Sequence, residues 1–266
     1  MRVGVSTASL FLRYNNEDAV AALDRLGVGI AEIFLTSFTE YKPAFAELLK
    51  SRMGALQAHS VHVLNTQIEP QLFNRHARVR EDSYGFLGEV MRSAQIIGAE
   101  HYTFHGTARF KKASRDPAND NLQRMGECIR EIGEFCRRFG VRLCLENVEW
   151  ATYNRVGVFT EMKRYYPSLL GVLDIKQARI SGEGYMPYLR EMGESIATVH
   201  LSDIGEDGKM CLPGHGKTDF ETLLKALQDV GYGGPLLIEA YKDDYCEIEE
   251  LKRSCDFLQE ILYKME

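Results

Sequence analysis

Short apolar runs rich in β-branched residues alternate along the chain with longer segments in which apolar residues recur every three or four positions. The first pattern predicts buried strands, and the second predicts amphipathic helices. Eight strands are predicted, near residues 3–8, 30–35, 55–61, 101–105, 141–146, 169–174, 196–201 and 235–240. A helical segment follows each strand, and several of these segments stop at a glycine, as at Gly27 and Gly98.

Eight strand-then-helix units favour a parallel sheet covered by helices. In 266 residues without a Pro/Ser-rich linker, this number fits a closed barrel, so we expect an α/β fold, a single (β/α)8 TIM barrel domain over residues 1–266. A doubly wound open sheet is the alternative. It would have fewer strands and usually a glycine-rich turn after the first, whereas VGVSTASLF at 3–11 lacks the GxGxxG pattern.

Composition and charge narrow the classes of function. The chain is 45% hydrophobic and 26% charged, which is typical of globular proteins, and its formal charge of −6 without a basic block disfavours a nucleic-acid partner. No apolar run approaches the roughly 20 residues that span a bilayer, and no charged-then-apolar leader opens the chain. The six cysteines form no CxxC pair. We therefore expect a cytoplasmic protein with no membrane partner and reduced cysteines.

Polar side chains stand at the ends of the last four predicted strands. Glu146 ends the fifth, Asp174 the sixth, His200 the seventh and Glu239 the eighth. The carboxyl ends of all strands in a barrel meet at one mouth, and the last inward-facing side chain points into it. Three carboxylates and one imidazole there predict a site for one divalent cation, with manganese, zinc, cobalt or magnesium favoured over calcium.

Several motifs at these strand ends carry a family resemblance: LEN at 145–147, VHLSD at 199–203, LPGHGKTDF at 212–220 and LLIEAY at 236–241. They resemble the sugar phosphate isomerase/epimerase superfamily of xylose isomerase-like TIM barrels, which also includes the AP endonuclease family 2 fold. The likeness extends over essentially the whole chain. It implies that the four strand-end residues are the metal ligands.

The resemblance also implies a reaction. In the superfamily's epimerases the first and last glutamates are both ligands and proton shuttles, so Glu146 and Glu239 would be the catalytic acid/base pair. One would remove a proton next to a carbonyl to give an enediolate, and the other would return a proton on the opposite face. We therefore expect a metal-dependent isomerase or epimerase of a small carbohydrate or polyol derivative, and the resemblance leans towards a homo-oligomer.

Departures from the family pattern keep other functions open. Gln177 stands where many sugar-acting relatives have a histidine, and an amide cannot serve as an acid or base. The segment GKM at 208–210 stands where the DNA-repair members have Asp-x-His, which disfavours an AP endonuclease-like hydrolase. A metal-dependent lyase, such as a keto-inositol dehydratase, is an alternative. A non-catalytic sugar-binding relative is another.

Further residues near the strand ends are candidates for substrate contact: His59, His105, Trp150, Lys176, Gln177, Asp203 and His215. At the third strand end His59 is preferred to His62. Lys176 is expected to point into the mouth, either to bind a substrate anion or to pair with a rim carboxylate. Trp150 is a candidate apolar wall for a sugar ring. The basic segment TARFKK at 107–112 is interpreted as a solvated loop, with guidance of an anionic substrate as the alternative.

Overall fold

Eight parallel strands close into a barrel in the computed structural model, which describes residues 1–107 and 120–265. The barrel strands are β1 (Arg2–Ser6), β2 (Ile30–Leu35), β3 (Gln57–Val63), β4 (His101–Phe104), β5 (Arg142–Glu146), β6 (Leu170–Asp174), β7 (Ile196–Leu201) and β10 (Pro235–Ile238). A small antiparallel pair, β8 (Asp203–Ile204) and β9 (Met210–Cys211), follows β7. The closed (β/α)8 barrel predicted from the sequence is confirmed. Most of the basic segment at 107–112 lies outside the described residues.

Helices surround the barrel and connect successive strands. They are α1 (Asn16–Arg25), α2 (Pro43–Arg52), α3 (Asn65–Leu72), α4 (Ala77–Ile97), α5 (Asp120–Arg137), α6 (Val158–Tyr165), α7 (Ile175–Ile180), α8 (Tyr185–Met192), α9 (Phe220–Asp229) and α10 (Glu249–Met265). Gly98 ends α4 in the left-handed conformation, at φ 81°, which a glycine adopts without steric cost. Within 1–107 and 120–265, no helix is both long and apolar enough to cross a membrane.

The apolar core lies where the helices pack on the outside of the strands. Leu23 of α1, Val90 of α4, Ile129 of α5 and Leu224 of α9 are all fully buried in it. Each such side chain stabilises the fold by roughly 1.5–3 kcal/mol relative to an exposed one. This shell holds the strands in place and leaves the inside of the barrel free to carry polar groups.

Two irregularities in the sheet decide which side chains face the barrel interior. Between β2 and β3 the register passes from Ala31–Ala58 to Glu32–Ser60 and skips His59. Between β6 and β7 it passes from Gly171–Ile196 to Val172–Thr198. A bulge of this kind resets the in-and-out alternation of the strand that carries it. Beyond the bulge in β3, the inward side chains are therefore those of Ser60 and His62.

Candidate functional site

The four strand-end residues predicted as metal ligands converge at one end of the barrel. Ligand atoms of Glu146, Asp174, His200 and Glu239 all lie within 4.8 Å of one another. His200 is central: its Nδ1 lies 2.9 Å from Glu146 Oε1 and 3.1 Å from Glu239 Oε2. Glu146, Asp174 and His200 are buried, whereas the Glu239 side chain is 13% exposed and forms the open side of the cluster.

Local structure fixes the direction of the Asp174 carboxylate. Asp174 ends β6 and also caps the N-terminus of α7, because its Oδ1 accepts a hydrogen bond from Gln177 N at 2.7 Å. The Asn147 side chain holds the Asp174 backbone by a pair of hydrogen bonds, each 2.8 Å long. Burial raises the pKa of Asp174 to about 7, with the charges of Glu146 and Glu239 adding to this effect and Lys176 opposing it.

The charges of the cluster are strongly coupled. Burial by itself would raise the pKa of Glu146, but the charges and hydrogen bonds of His200 and His105 hold it well below its ordinary value. Conversely, burial would lower the pKa of His200, yet the carboxylates of Glu239, Glu32 and Glu146 hold it well above its ordinary value. The carboxylates and the His200 imidazole therefore each favour the charged form of the other in this buried site.

The residues present fit a divalent cation. Glu239 Oε2 is buried and makes no hydrogen bond of acceptable geometry, so an acceptor at the centre of the cluster is left without a donor. Three carboxylates with one imidazole are a suitable set for a hard or borderline ion. Donor atoms also approach within 4.8 Å in two overlapping sets, His62 with His105 and Glu146, and Glu32 with His62 and Glu239.

A cavity of about 270 Å³ opens above the cluster. Its polar floor includes His105, Glu146, Gln177 and Glu239, and its walls are apolar and aromatic, including Phe11, Phe34, Val148, Trp150 and Tyr241. Trp150 is 41% exposed, and its ring centroid lies 5.3 Å from that of His105. The structure thus places His105, Trp150 and Gln177, three of the predicted substrate-contact residues, around one space next to the four candidate ligands.

Lys176 is a buried cation beside the cluster. It lies on the first turn of α7, is 2% exposed, and has its Nζ 3.7 Å from Glu239 Oε1 and 4.1 Å from the centroid of the Tyr241 ring. Its Nζ makes no hydrogen bond within the described residues. Burial would lower the pKa of Lys176, but Asp174 and Glu239 hold it above its ordinary value. The side chain thus approaches the cluster from the helix that directly follows the sixth barrel strand.

His59 is not brought to this mouth, which corrects the expectation made for it. Its Nε2 lies 2.9 Å from Thr198 Oγ1, and its ring stacks on His101 at a centroid distance of 4.3 Å. Both rings line a separate cavity with the residues that begin β7 and β10, at the opposite end of the barrel. The reason is its place in the strand: β3 runs from Gln57 to Val63, so His59 lies near its beginning, at the end of the barrel away from the mouth. Beyond the bulge, His62 is the histidine of this strand that lines the mouth.

Asp203 and His215 also lie apart from the cavity. Asp203 is buried, and its carboxylate accepts hydrogen bonds from four backbone N–H groups, those of Ile204, Gly214, Gly216 and Thr218. This organises the glycine loop and leaves no free acceptor directed at a substrate. His215 is exposed on that loop and does not line the mouth cavity.

Two buried glutamates at this end of the barrel were missed in the sequence. Glu32, on β2, lies 3.2 Å from His200 Nε2 and 3.3 Å from His62 Nδ1 through its Oε1. Glu69, on α3, accepts hydrogen bonds from Tyr102 and from the backbone N–H groups of His105 and Gly106. A charged residue inside the apolar run IAEIFL at 30–35 was the available signal for Glu32.

Comparison with known proteins assigns this chain to a family. Residues 20–261 match the family described as the xylose isomerase-like TIM barrel. The chain belongs to that family. The resemblance inferred from the motifs at the strand ends is thereby confirmed.

Two curated proteins that this chain resembles have the names of sugar-processing enzymes. The chain is 26% identical to an inosose dehydratase of Bacillus licheniformis over 185 residues, 59% of this chain and 60% of that protein. It is also 26% identical to a fructoselysine 3-epimerase of Escherichia coli O157:H7 over 129 residues, 46% of this chain and 47% of that protein. The chain therefore spans about half to three fifths of the length of these relatives.

Solved structures share the fold over almost the whole chain. The IolI protein, solved with a bound zinc atom, has a TM-score of 0.77 at 16% identity, and the match covers 99% of each chain. At this level of identity the likeness shows the fold of the chain.

Proposed function

We propose that this chain is a divalent-metal-dependent isomerase or epimerase that acts on a small carbohydrate or polyol derivative. The observation that carries the proposal is the convergence of Glu146, Asp174, His200 and Glu239 in one buried cluster at the base of an open cavity. The names of the relatives, an epimerase and a dehydratase that act on sugar-like molecules, support the substrate class. The zinc atom in the IolI structure supports the type of cofactor.

The four residues would hold the ion, with manganese, zinc, cobalt and magnesium as candidates. When bound, the ion would hold the carbonyl and neighbouring hydroxyl oxygens of a ketose-like substrate and stabilise negative charge on them. The residues of the chain would do the rest. Trp150 would offer an apolar face for the sugar ring, and His105 and Gln177, which line the same cavity, would contact its hydroxyls.

Glu146 and Glu239 would exchange the protons. One carboxylate removes the proton from the carbon between the carbonyl and the hydroxyl, and the C–H electron pair moves into an enediolate. The other returns a proton to the opposite face of that carbon. Its configuration is inverted, and substrate and product have the same atoms. The two carboxylates come from the ends of different strands and approach the same atom, Nδ1 of His200, at 2.9 Å from Glu146 Oε1 and 3.1 Å from Glu239 Oε2. Both residues also line the mouth cavity in which the reacting carbon would lie.

A lyase is the second candidate, and Lys176 is the observation that favours it. Its Nζ is buried, makes no hydrogen bond within the described residues and lies 3.7 Å from Glu239 Oε1. An ammonium next to a carboxylate base could protonate a leaving hydroxyl after the base has taken the neighbouring proton, with net loss of one water. The inosose dehydratase relative fits this chemistry.

Proton NMR in D2O separates these reactions. The purified chain, loaded with Mn²⁺ or Zn²⁺ and then freed of excess ion, is incubated with a panel of ketoses and keto-inositols. Epimerisation puts one deuterium on the carbon next to the carbonyl and gives a stereoisomer, whereas dehydration gives a product lighter by one water. Chelator-treated protein is the control and should be inactive. If the loaded chain incorporates no deuterium and releases no water with any substrate, the proposed function is wrong.

A further inference from the structure

Glu32 is a fully buried carboxylate deep in the barrel, below the four candidate ligands. Its Oε2 accepts hydrogen bonds from Ser60 Oγ at 2.8 Å and Thr103 Oγ1 at 2.5 Å, and its Oε1 accepts one from Ser6 Oγ at 3.2 Å. A buried carboxylate is stable only when its oxygens are satisfied in this way. The three hydroxyls come from three different strands, so they fix the position of the carboxylate in the barrel.

The fixed carboxylate of Glu32 faces the imidazole of His200. Glu32 Oε1 lies 3.2 Å from Nε2, on the opposite side of the ring from Nδ1, which faces Glu146 and Glu239. This contact is an ion pair, since within the described residues Nε2 makes no hydrogen bond of acceptable geometry. A histidine that binds a metal must offer one nitrogen without a proton, and the hydrogen bond made by the other nitrogen decides which one that is. A carboxylate oxygen 3.2 Å from Nε2 favours the proton on that nitrogen by charge attraction, which leaves the Nδ1 lone pair directed at the four-residue cluster.

We propose that Glu32 is a positioning residue that orients the His200 ring and selects Nδ1 as its metal-binding atom. The inference rests on the proposed function, because it assumes that the four-residue cluster binds an ion. Glu32 also approaches His62 and Glu239 closely enough to be a ligand itself. Its contacts argue against that role, since both of its oxygens already face hydroxyl or imidazole groups within 3.3 Å.

The variant Glu32→Gln tests the assignment, with Glu40→Gln as its matched control. Glu40 is a partly buried glutamate that accepts hydrogen bonds from Asn16 and Thr36 and is absent from the lining of the mouth cavity. Binding of Mn²⁺ and Zn²⁺ is measured by calorimetry in all three proteins. Loss of an outer hydrogen-bond partner of a ligand typically weakens metal binding by about 10- to 100-fold, and this is expected for Glu32→Gln alone.

Nitrogen NMR of the Zn²⁺-loaded proteins supplies a readout that a purely structural role would not change. In the wild type the Nε2–H proton of His200 should exchange slowly and resonate downfield, as a donor to a carboxylate does. In Glu32→Gln it should move upfield and exchange faster, with no such change in Glu40→Gln. If Glu32→Gln does not fold, Thr103→Val replaces it, because it keeps the carboxylate but removes a donor, with an expected loss of about threefold in affinity.

The outcomes separate the two proposals. Unchanged affinity and an unchanged Nε2–H signal in the Glu32 or Thr103 variant would overturn the role of Glu32 alone. A drop in the number of bound ions, at unchanged affinity for the remaining ion, would overturn it in favour of direct ligation. Metal binding that depends on Glu32, without turnover of any sugar, would refute only the sugar chemistry. Absence of metal binding in the wild type would refute both.

Discussion

At the scale of single residues, the buried cation Lys176 sets the charge of the candidate centre. Three carboxylates from Glu146, Asp174 and Glu239 would leave one negative charge in excess after a divalent ion is bound. Lys176, with its Nζ 3.7 Å from Glu239 Oε1, supplies the positive charge that balances this excess. The same ammonium repels the ion and attracts negative charge that forms on a substrate, so its removal should affect metal binding and turnover in opposite directions.

Lys176→Met should therefore tighten metal binding and slow the reaction. Methionine keeps a similar length and removes the charge, so we expect the Kd for Mn²⁺ to fall by about tenfold, on the order of 1.4 kcal/mol. Because the ammonium would no longer stabilise the charge on the reacting oxygens, kcat/KM should fall by at least about 100-fold, which corresponds to roughly 2.7 kcal/mol. Calorimetry and steady-state kinetics measure the two effects. Weaker metal binding in the variant would contradict this account.

Glu239 has two proposed roles, ligand and proton carrier, and one substitution tests both. In Glu239→Gln the side chain keeps its shape but loses the negative charge that His200 and Lys176 face. We expect metal retention after gel filtration to drop and deuterium incorporation to be abolished. Asp243→Asn, at an exposed position paired with Lys242 on the surface, is the control and should behave as the wild type. Full activity of Glu239→Gln would disprove the two-glutamate mechanism.

At the scale of elements, the loop that carries the PGHG motif is organised by one carboxylate. Asp203 Oδ1 accepts from the N–H groups of Ile204 and Thr218, and Oδ2 accepts from those of Gly214 and Gly216. The loop packs closely around it: a Cβ at Gly216 would lie 2.3 Å from the Ile204 carbonyl oxygen. The PGHG motif, which contributed to the family resemblance in the sequence, therefore has a structural role: its backbone folds around Asp203 after the seventh barrel strand.

Asp203→Asn should destabilise this loop because an amide has only one oxygen. Its NH2 group would face two backbone N–H donors, which would be left without an acceptor at a cost of about 2–4 kcal/mol. We expect a lower midpoint of urea unfolding, followed by circular dichroism. Asp207→Asn, in the exposed turn between β8 and β9, should leave the midpoint unchanged. A wild-type midpoint for Asp203→Asn would show that these four hydrogen bonds contribute little to stability.

The sequence predicted the barrel strands well and the short elements poorly. All eight predicted strands overlap the observed ones and end within two residues of them, because strands buried on both faces are continuous apolar runs. In contrast, α3 went unpredicted, since NTQIEPQL is largely polar and has Pro70 inside the helix. With α3 missed, Glu69 could not be placed in the site. The bulge at His59 has no compositional signal either, and beyond it His62 is the histidine of β3 that lines the mouth.

At the scale of the whole molecule, the barrel has a polar interior along its axis, with titratable groups near both ends. The mouth holds the carboxylate cluster, whereas the opposite end holds the stacked pair His59 and His101, beside Arg142. Burial lowers the pKa of His59 to about 4, with the Glu32 charge opposing this effect. Burial also lowers the pKa of His101 to about 3, and the positive charges of His59 and Arg142 add to this effect.

These two histidines should make the free energy of unfolding fall as the pH is lowered. They lie at the end of the barrel opposite the candidate metal site. In the unfolded chain both histidines take up a proton near pH 6.5, whereas in the folded chain His59 does so near pH 4 and His101 near pH 3. Their contribution to the free energy of unfolding is therefore complete above pH 6.5 and is lost as the pH falls towards 4. Each histidine contributes a slope of about 1.4 kcal/mol per pH unit there. His101→Asn keeps a donor for the His59 carbonyl but cannot be protonated. Between pH 6.5 and pH 4 its free energy of unfolding should therefore fall by about 3 kcal/mol less than that of the wild type.

Urea unfolding of metal-free protein at stepped pH measures this difference, and carboxylates that titrate in the same range cancel in the comparison of variant with wild type. His76→Asn, at an exposed position far from this pair in the sequence, is the control and should reproduce the wild-type slope. Parallel curves for His101→Asn and the wild type would mean that His101 takes up its proton equally well in the folded barrel. In that case the end of the barrel opposite the mouth would admit water and charge, and the polar interior would contact solvent at both ends.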